Sequence, residues 1–484
     1  MGAGLLQLVC KGQQDTFLCE NPNMSFFKYS YRKHTKFAIE NIQLEFNNTP
    51  LLNPNIVDGQ YTCKITRNGD LLKNLYFCFS LPEVYSSKKH SFKWVKNIGH
   101  NIIKKCIVKV DGLVIDTITN DWLNIWNELT IDKMGYDDLI GNIPSITNPT
   151  LFKKKLIIDN NKFIYDYYPY SDKNDPNCLP SIKKTQIRVP LPFWFTRNPS
   201  LALPLLRLQA NEITLTITLE NSEHLYTVIN NEIDKDISPL LHNKLYNENI
   251  NINTFVKNNF IFPYIEAEYV FLDNNERNTI FRKTNLQYLV EQLEITPQNI
   301  ISINNNPNNN TIIKVNTNKP TKELIWIMRR DDYLNNFNDY TNYTASFHNN
   351  NQYPILNRAS ILWDKSKIIV NEKDNIFYNK IQPYQYHTKI PNMEGLYLYS
   401  FALNPEKNNP SGYYNASLVD SKISIYINNY QHNDPLFNLD NLDNLKRILK
   451  NEESHKIQNY FVDIFSVTYN IFEIIGRSAG MKFA

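Results

Sequence analysis

The sequence predicts an all-β chain of two similar sandwiches in tandem, and three observations carry that prediction. Arg188 to Glu220 (RVPLPFWFTRNPSLALPLLRLQANEITLTITLE) and Gly395 to Ile427 (GLYLYSFALNPEKNNPSGYYNASLVDSKISIYI) share one layout, an apolar or aromatic strand, an Asn-Pro turn, a short middle stretch and an alternating strand. In the first, Ile213, Leu215, Ile217 and Leu219 alternate with Thr214, Thr216 and Thr218; in the second, Ile423, Ile425 and Ile427 alternate with Ser424 and Tyr426. A period of two marks a half-buried antiparallel strand. Finally, short strand patterns recur along the whole chain with only a few helical patches between them, which is the text of a sandwich in each half.

A chain of 484 residues is too long for one ordinary core. Its 42% hydrophobic content, with Tyr 30 and Phe 26, suffices for two. The net charge of +3 is close to balance, and the basic runs are short: Lys153 to Lys155, Lys183–Lys184 and Arg329–Arg330. A nucleic-acid coat concentrates Lys and Arg, because affinity scales with the phosphates neutralised, so no direct nucleic-acid partner is expected. Arg329–Arg330 runs straight into Asp331–Asp332, which reads as a local ion-pair cluster. The six cysteines (Cys10, Cys19, Cys63, Cys78, Cys106, Cys178) show no CxxC spacing and follow no secretory signal pattern; free, mostly buried thiols are expected. No stretch approaches the ~18 consecutive apolar residues of a membrane span. The N-x-S/T sequences at Asn47, Asn309, Asn342 and Asn415 are what an Asn-rich chain produces by chance.

In chain order, residues 1–24 form an N-terminal arm, apolar from Gly2 to Val9; Leu6 stands where a myristoylation signal needs Ser or Thr. Residues 25–220 form the first sandwich. Strand text runs through Phe26, Phe27, Tyr29 and Tyr31, then Phe37 to Phe46, Tyr61 to Ile65, Leu75 to Leu81, Cys106 to Val110 and Leu113 to Ile118. Asn53-Pro54, Asp58-Gly59, Asn68-Gly69 and Asp111-Gly112 supply turns, the last two of hairpin type. Asp121 reads as the N-cap of a short helix with Trp122, Ile125, Trp126 and Leu129 on one side. Residues 135–185 read as a long loop, and 221–258 as a connector or surface insertion. Residues 259–484 form the second sandwich, with markers at Tyr288 to Ile295, Thr311 to Val315, Glu323 to Met328, Ile361 to Trp363 and Tyr460 to Ile475, and a polar loop at Asn304 to Asn310. Long loops on two-sheet sandwiches fit two eight-stranded jelly rolls, a double jelly roll.

Jelly rolls also host metalloenzymes and lectins, so the chemistry is tested residue by residue. The nine histidines are His34, His90, His100, His224, His242, His348, His387, His432 and His455, and no two lie within four residues of each other. The His-x-His half of a cupin metal site is therefore missing, and no metal ligands are expected. There is no G-x-S-x-G elbow; Ser411-Gly412 sits in a Pro-Ser-Gly turn with a geometric role. Gly2-Ala3-Gly4 runs into leucines, so no phosphate loop forms. The pairs Asp137–Asp138 and Asp331–Asp332 read as solvated loop charges. Phe193–Trp194–Phe195 is suited to sugar stacking in principle, but its flanking prolines favour core or interface packing. No catalytic, cofactor-binding or metal-binding residue is expected, and no cofactor.

Three long motifs go further. The stretch Gly2 to Glu40 carries Gln14–Asp15, Asn21–Pro22, Phe26–Phe27–Lys28, Tyr31–Arg32, His34–Thr35 and Phe37 in that order. With Pro190 to Gln209 and Gly395 to Ser417, it resembles the double jelly-roll major capsid proteins of nucleocytoplasmic large DNA viruses, over nearly the whole chain. The resemblance implies a non-enzymatic shell protein whose three copies form a pseudo-hexagonal capsomer, tiling an icosahedral capsid over an internal membrane. The implied partners are two further copies, neighbouring capsomers, minor capsid and penton proteins, and the inner viral membrane or its proteins near the arm. The implied location is the virion, assembled in the host cytoplasm. Residues 221–255, 299–320 and 339–358 match no quoted pattern, which leaves the capsomer's outer tower open. The alternatives are a double jelly-roll scaffold protein of a viral membrane and a carbohydrate-binding jelly roll.

Overall fold

The computed structural model describes residues 2–10, 12, 19–48, 59–87, 90–131, 134–149, 155–159, 162–165, 171–176, 178–230, 235–258, 261–283, 285–302, 310–330, 337–345, 354–363, 367–418, 421–427, 459–476 and 478–483. Strands β1 (Phe37–Glu45), β2 (Gln60–Lys64), β3 (Leu71–Leu81), β4 (Ile103–Val110), β5 (Leu113–Thr119), β6 (Thr185–Pro190), β7 (Ile213–Leu219) and β8 (Tyr264–Leu272) build the first sandwich. They form two sheets in the orders β1-β8-β3-β6 and β2-β7-β4-β5. The second sandwich uses β9 (Asn285–Ser302), β10 (Asn310–Lys314), β11 (Pro320–Arg330), β12 (Leu356–Trp363), β13 (Lys367–Asp374), β14 (Leu396–Ser400), β15 (Ser421–Ile427) and β16 (Asn459–Ile475). Its sheets run β9-β16-β11-β14 and β10-β15-β12-β13. Adding eight to each label of the first sandwich reproduces the second. All these pairings are antiparallel, and the order is that of a double jelly roll.

The two matched segments are the same structural passage. Each leaves an edge strand of one sheet (β6 or β14), turns at Asn198-Pro199 or Asn404-Pro405, and enters an inner strand of the other sheet (β7 or β15). Ile213, Leu215, Ile217, Ile423 and Ile425 are buried as the alternation requires. Asp111-Gly112 closes the β4–β5 hairpin with both residues at positive φ (49° and 83°), as a two-residue type I′ turn demands.

Several expectations are corrected. Residues 264–272 do not open the second sandwich: β8 lies between β1 and β3, so the first sandwich runs to Leu272 and the second begins at β9. Chain order concealed this, since the last strand of a jelly roll returns to pair with the first. Residues 221–258 are not a free insertion either. Tyr226–Asn230 pairs with His90–Trp94 and with Lys235–Ile237 in a three-stranded sheet, and a helix (Pro239–Tyr246) follows. The 135–185 region contains short helices (Tyr136–Ile140, Pro144–Thr147) and a hairpin (Lys155–Asp159 with Lys162–Tyr165) as well as loop. Phe26, Phe27, Tyr29 and Tyr31 form no strand, because no neighbour offers them an edge; they stand in solvent, Phe27 99% exposed. Asn68-Gly69 joins strands of opposite sheets instead of closing a hairpin, and Gly69 is required by close approach, since a Cβ there would lie 2.9 Å from Tyr269 Cβ. Thr119, not Asp121, caps the helix α1 (Asn120–Thr130), its Oγ1 accepting from Trp122 N at 3.4 Å. Asn53-Pro54, Asp58 and Asn304 to Asn309 lie outside the described residues.

The sheet β9-β16-β11-β14 is covered on both faces. Leu324, Trp326 and Met328 of β11 point into the second sandwich's core, while Ile325 and Ile327 join the core of the first. Ile464 and Phe465 of β16 divide the same way, as do Tyr397 and Leu396 of β14. A continuous apolar run such as LIWIM is the signature of a strand buried on both sides. The outer face of this sheet therefore completes the core of the first jelly roll, while its inner face lines the second core.

Candidate functional site: the junction and the crown

The junction is built by α1 and the segment after β6, which lie on the outer face of the β9-β16-β11-β14 sheet. Trp122 meets Phe465 at 6.2 Å between ring centres, and Trp194 meets Phe472 at 5.3 Å. Phe193, Trp194 and Phe195 are buried in this contact, so their rings are closed to a sugar. The core reading of that cluster is the correct one.

Charges bolt the same junction. Arg329 Nη1 donates to Asp121 Oδ1 at 2.9 Å, and Nη2 donates to Asp121 Oδ2 at 3.2 Å and Asp463 Oδ2 at 2.6 Å. Burial opposes the guanidinium charge, but the two carboxylates outweigh it and push its pKa up. Arg330 Nη1 donates to Ala345 O at 3.0 Å. The expected partners Asp331–Asp332 lie outside the described residues; among those described, the partners of Arg329 are distant in sequence. Nearby, Glu291 receives Arg197 at 3.0 Å and also Lys322, whose ammonium donates to Pro405 O and so holds the Asn404-Pro405 turn.

His387 forms a second buried node. Its Nε2 lies 3.0 Å from Glu323 Oε2 and its Nδ1 3.0 Å from Glu406 Oε1. Burial lowers the imidazole pKa, but the two carboxylates overcome it and hold it at about 9, with Glu323 pulled below the usual carboxylate range. A charged His387 thus joins β11 to the loops on either side of β14. The node is a structural clamp: both nitrogens are engaged by carboxylates and the side chain is 2% exposed, leaving no face for a substrate.

The other sequence candidates separate cleanly. His100 is a satisfied core histidine, bonded to Asn124 (3.0 Å) and Tyr136 (3.2 Å), and burial pushes its pKa down to about 4. His224 lies against Glu220 at 3.0 Å and His34 is exposed in the segment just before β1. His348, His432 and His455 lie outside the described residues. Asp137 and Asp138 are exposed on a one-turn helix. Ser411 Oγ accepts from Asn404 N at 2.8 Å, and Gly412 sits at φ 144°, where an added Cβ would be 2.4 Å from Phe401 O. Cys63, Cys78 and Cys106 are buried free thiols, while Cys10 and Cys19 are exposed. His90 and His242, 152 residues apart by number, stack edge to face at 4.9 Å. Local spacing gave no sign of that meeting, because the jelly roll's long connections create it.

Those long connections have a common address. β1 and β3 run together while β6 and β8 oppose them, so the links 82–102, 120–184 and 220–263 leave the first sandwich at one end. There their described residues form a crown whose three-stranded sheet is drawn from two of the links. Two jelly rolls of one strand order, packed through one sheet of the second and topped by such a crown, define a double jelly-roll protein.

The comparisons with known proteins agree. Residues 25–273 match the family described as major capsid protein N-terminus, and residues 276–480 match that of the large eukaryotic DNA virus major capsid protein. The chain belongs to the family of large eukaryotic DNA virus major capsid proteins. It is 27% identical to the major capsid protein of Phaeocystis pouchetii virus, with 100% of both chains covered. It is also 27% identical to the probable capsid protein 4 of Acanthamoeba polyphaga mimivirus, over 100% of this chain and 99% of that one. Among solved structures, a chain of the PBCV-1 virus capsid superposes with a TM-score of 0.64 at 22% identity, covering 95% of this chain and 100% of the other. The Faustovirus major capsid protein gives 0.65 at 11% identity, over 95% and 94%. These two likenesses establish the fold.

Proposed function

We propose that this protein is the shell-building subunit of its virion, acting by assembly and without catalysis. Three copies associate into a capsomer of pseudo-hexagonal outline, since six similar sandwiches then ring the axis, and capsomers tile an icosahedral shell over an internal membrane. The observation that carries this reading is the repeated strand order of two sandwiches packed tightly against each other. Such a unit offers near-equivalent flanks, and heterologous contacts between flanks close into a ring when the rotation allows. Obligate contacts of this kind commonly bury more than ~2,000 Å².

The arm supports a role at the capsomer base. Its helix Ala3–Val9 leaves Leu5, Leu6, Leu8 and Val9 mostly in solvent, and Phe26, Phe27 and Tyr29, just beyond the arm, are barer still. Contiguous exposed apolar surface on a soluble chain marks an interaction site. The partners proposed for it are neighbouring subunits and the inner membrane or its proteins, with minor capsid and penton proteins meeting the capsomer elsewhere. Assembly is assigned to the host cytoplasm, and direct nucleic-acid contact is not part of the reading.

Light scattering on the purified protein, followed by negative-stain imaging of the same peak, tests this. A particle three times the 56.9 kDa chain and hexagonal in outline is expected. A clean monomer with a saturable glycan site would overturn the shell reading in favour of a carbohydrate-binding jelly roll. Absence of the chain from purified mature virions would instead make it a transient scaffold.

A further inference from the structure

Two histidines and a glutamate from distant parts of the chain converge in the crown. His90 opens the strand His90–Trp94, and His242 sits in α2 (Pro239–Tyr246). Glu248 follows Asn247, whose left-handed backbone (φ 50°, ψ 36°) ends α2 and turns the chain back. One ligating atom from each residue lies within 4.8 Å of the other two. His90 Nε2 stands 3.4 Å from Glu248 Oε2, and the two imidazole rings are 4.9 Å apart and nearly perpendicular, at 84°. His242 is 0% exposed and His90 7%, while the Glu248 side chain keeps 33% of its surface in solvent.

We propose that His90, His242 and Glu248 bind one borderline divalent cation, Zn²⁺ foremost, which fastens α2 to the crown sheet. Three geometric facts favour a shared ion. A tetrahedral zinc with bonds of about 2.0–2.1 Å keeps its ligand atoms about 3.3 Å apart, which the His90–Glu248 pair already matches. The same bonds place the centres of two ligating imidazoles about 5 Å apart, as observed. Closing the remaining separation from 4.8 Å takes a movement on the scale of a side-chain adjustment. The donor set is also selective. Two imidazoles and one carboxylate suit zinc with a fourth position left to water, and the exposed side of Glu248 admits that water. Calcium and magnesium call for oxygen ligands throughout.

A simple His90–Glu248 ion pair is the competing account, and it predicts no dependence of crown stability on zinc. The surroundings hold the ligands in place. Ser238 Oγ accepts from Leu241 N at 3.1 Å and starts α2, and Tyr246 stacks on His242 at 4.6 Å. His90 N donates to Ser87 Oγ at 3.0 Å. The first and last of these contacts fix the backbone that carries the two histidines, and the Tyr246 ring packs against the His242 imidazole. An ion here would tie residue 90 to residue 242 and stabilise the folded crown by mass action, since it binds the folded state alone.

The test uses full-length protein stripped with a chelator, then titrated with zinc chloride against a chromophoric competitor, with elemental analysis of the product. One zinc per chain is expected, with a raised thermal midpoint. Cobalt substitution should give the intense visible absorption of a four-coordinate ion. Glu248→Gln, at a partly exposed position, should keep the fold and weaken zinc binding at least about tenfold; His90→Asn should abolish it. Because a crown variant at His90 risks misfolding, the Glu248→Gln comparison decides. No stoichiometric zinc in the wild type, or undiminished zinc in Glu248→Gln, would overturn the proposal.

Discussion

Arg329 of β11 and Asp121 of α1, 208 residues apart in the chain, form a two-pronged ion pair across the junction of the sandwiches, at 2.9 and 3.2 Å. Asp463 of β16 shares the same guanidinium, and the three side chains are only 8–14% exposed. One cation thus ties α1 to two inner strands of the second jelly roll.

Removing that cation strands two buried carboxylates. Arg329→Ala is expected to cost about 3–5 kcal/mol, the range for breaking a buried pair from one side. Arg329→Met combined with Asp121→Leu and Asp463→Leu should recover much of the loss, because desolvation is relieved together with the attraction. Urea denaturation midpoints of the two variants would check this; equal losses would mean that packing, not charge, holds the junction.

The His387 clamp makes stability depend on pH. Its folded pKa of about 9 lies above the ordinary 6.5, so its contribution is complete below pH 6.5 and is lost as pH rises through about 9. The shift corresponds to about 3 kcal/mol. At the acid end Glu323 and Glu406, both held below the usual carboxylate range, lose their contribution as pH falls through their folded values. Denaturation midpoints at pH 6, 7.5 and 9 should fall for the wild type over and above the change seen in His387→Gln. A parallel fall in both would refute the assignment.

Gly395 opens the second matched segment at φ 90°, and an added Cβ would sit 2.0 Å from Tyr343 O. Gly395→Ala therefore meets both backbone strain and a collision with main chain, and a loss above about 2 kcal/mol is expected. Gly112, at φ 83° with nothing near it, isolates the strain alone; Gly112→Ala should lose less. Thermal melts of the pair would reveal whether the collision counts.

The exposed arm predicts a split between folding and assembly. Phe26→Ser with Phe27→Ser removes no packed contact, since Phe26 is 86% and Phe27 99% exposed. Monomer stability should be unchanged within about 0.5 kcal/mol, while the yield of shells or capsomers falls. Normal assembly by this variant, or by a chain lacking residues 2–20, would refute the role given to the arm.

The sequence by itself determined what repeats and alternates. The period of two in β7 and β15, the apolar run of β11, the Asp111-Gly112 turn and the matched passages across 188–220 and 395–427 are local or periodic signals, written by which face meets the core. They sufficed for two jelly rolls and, through the motifs at Gly2 to Glu40, Pro190 to Gln209 and Gly395 to Ser417, for the family. Only the tertiary structure decided what belongs to which sandwich and which charges meet. β8 returns across more than two hundred residues to pair with β1; Arg329 meets Asp121 and Asp463; His90 finds His242 and Glu248. Phe26 and Phe27 read as a strand, yet had no edge to join. Each of these depends on chain closure between distant segments, and a jelly roll, whose long connections carry successive strands to opposite sheets, leaves no periodic trace of such meetings.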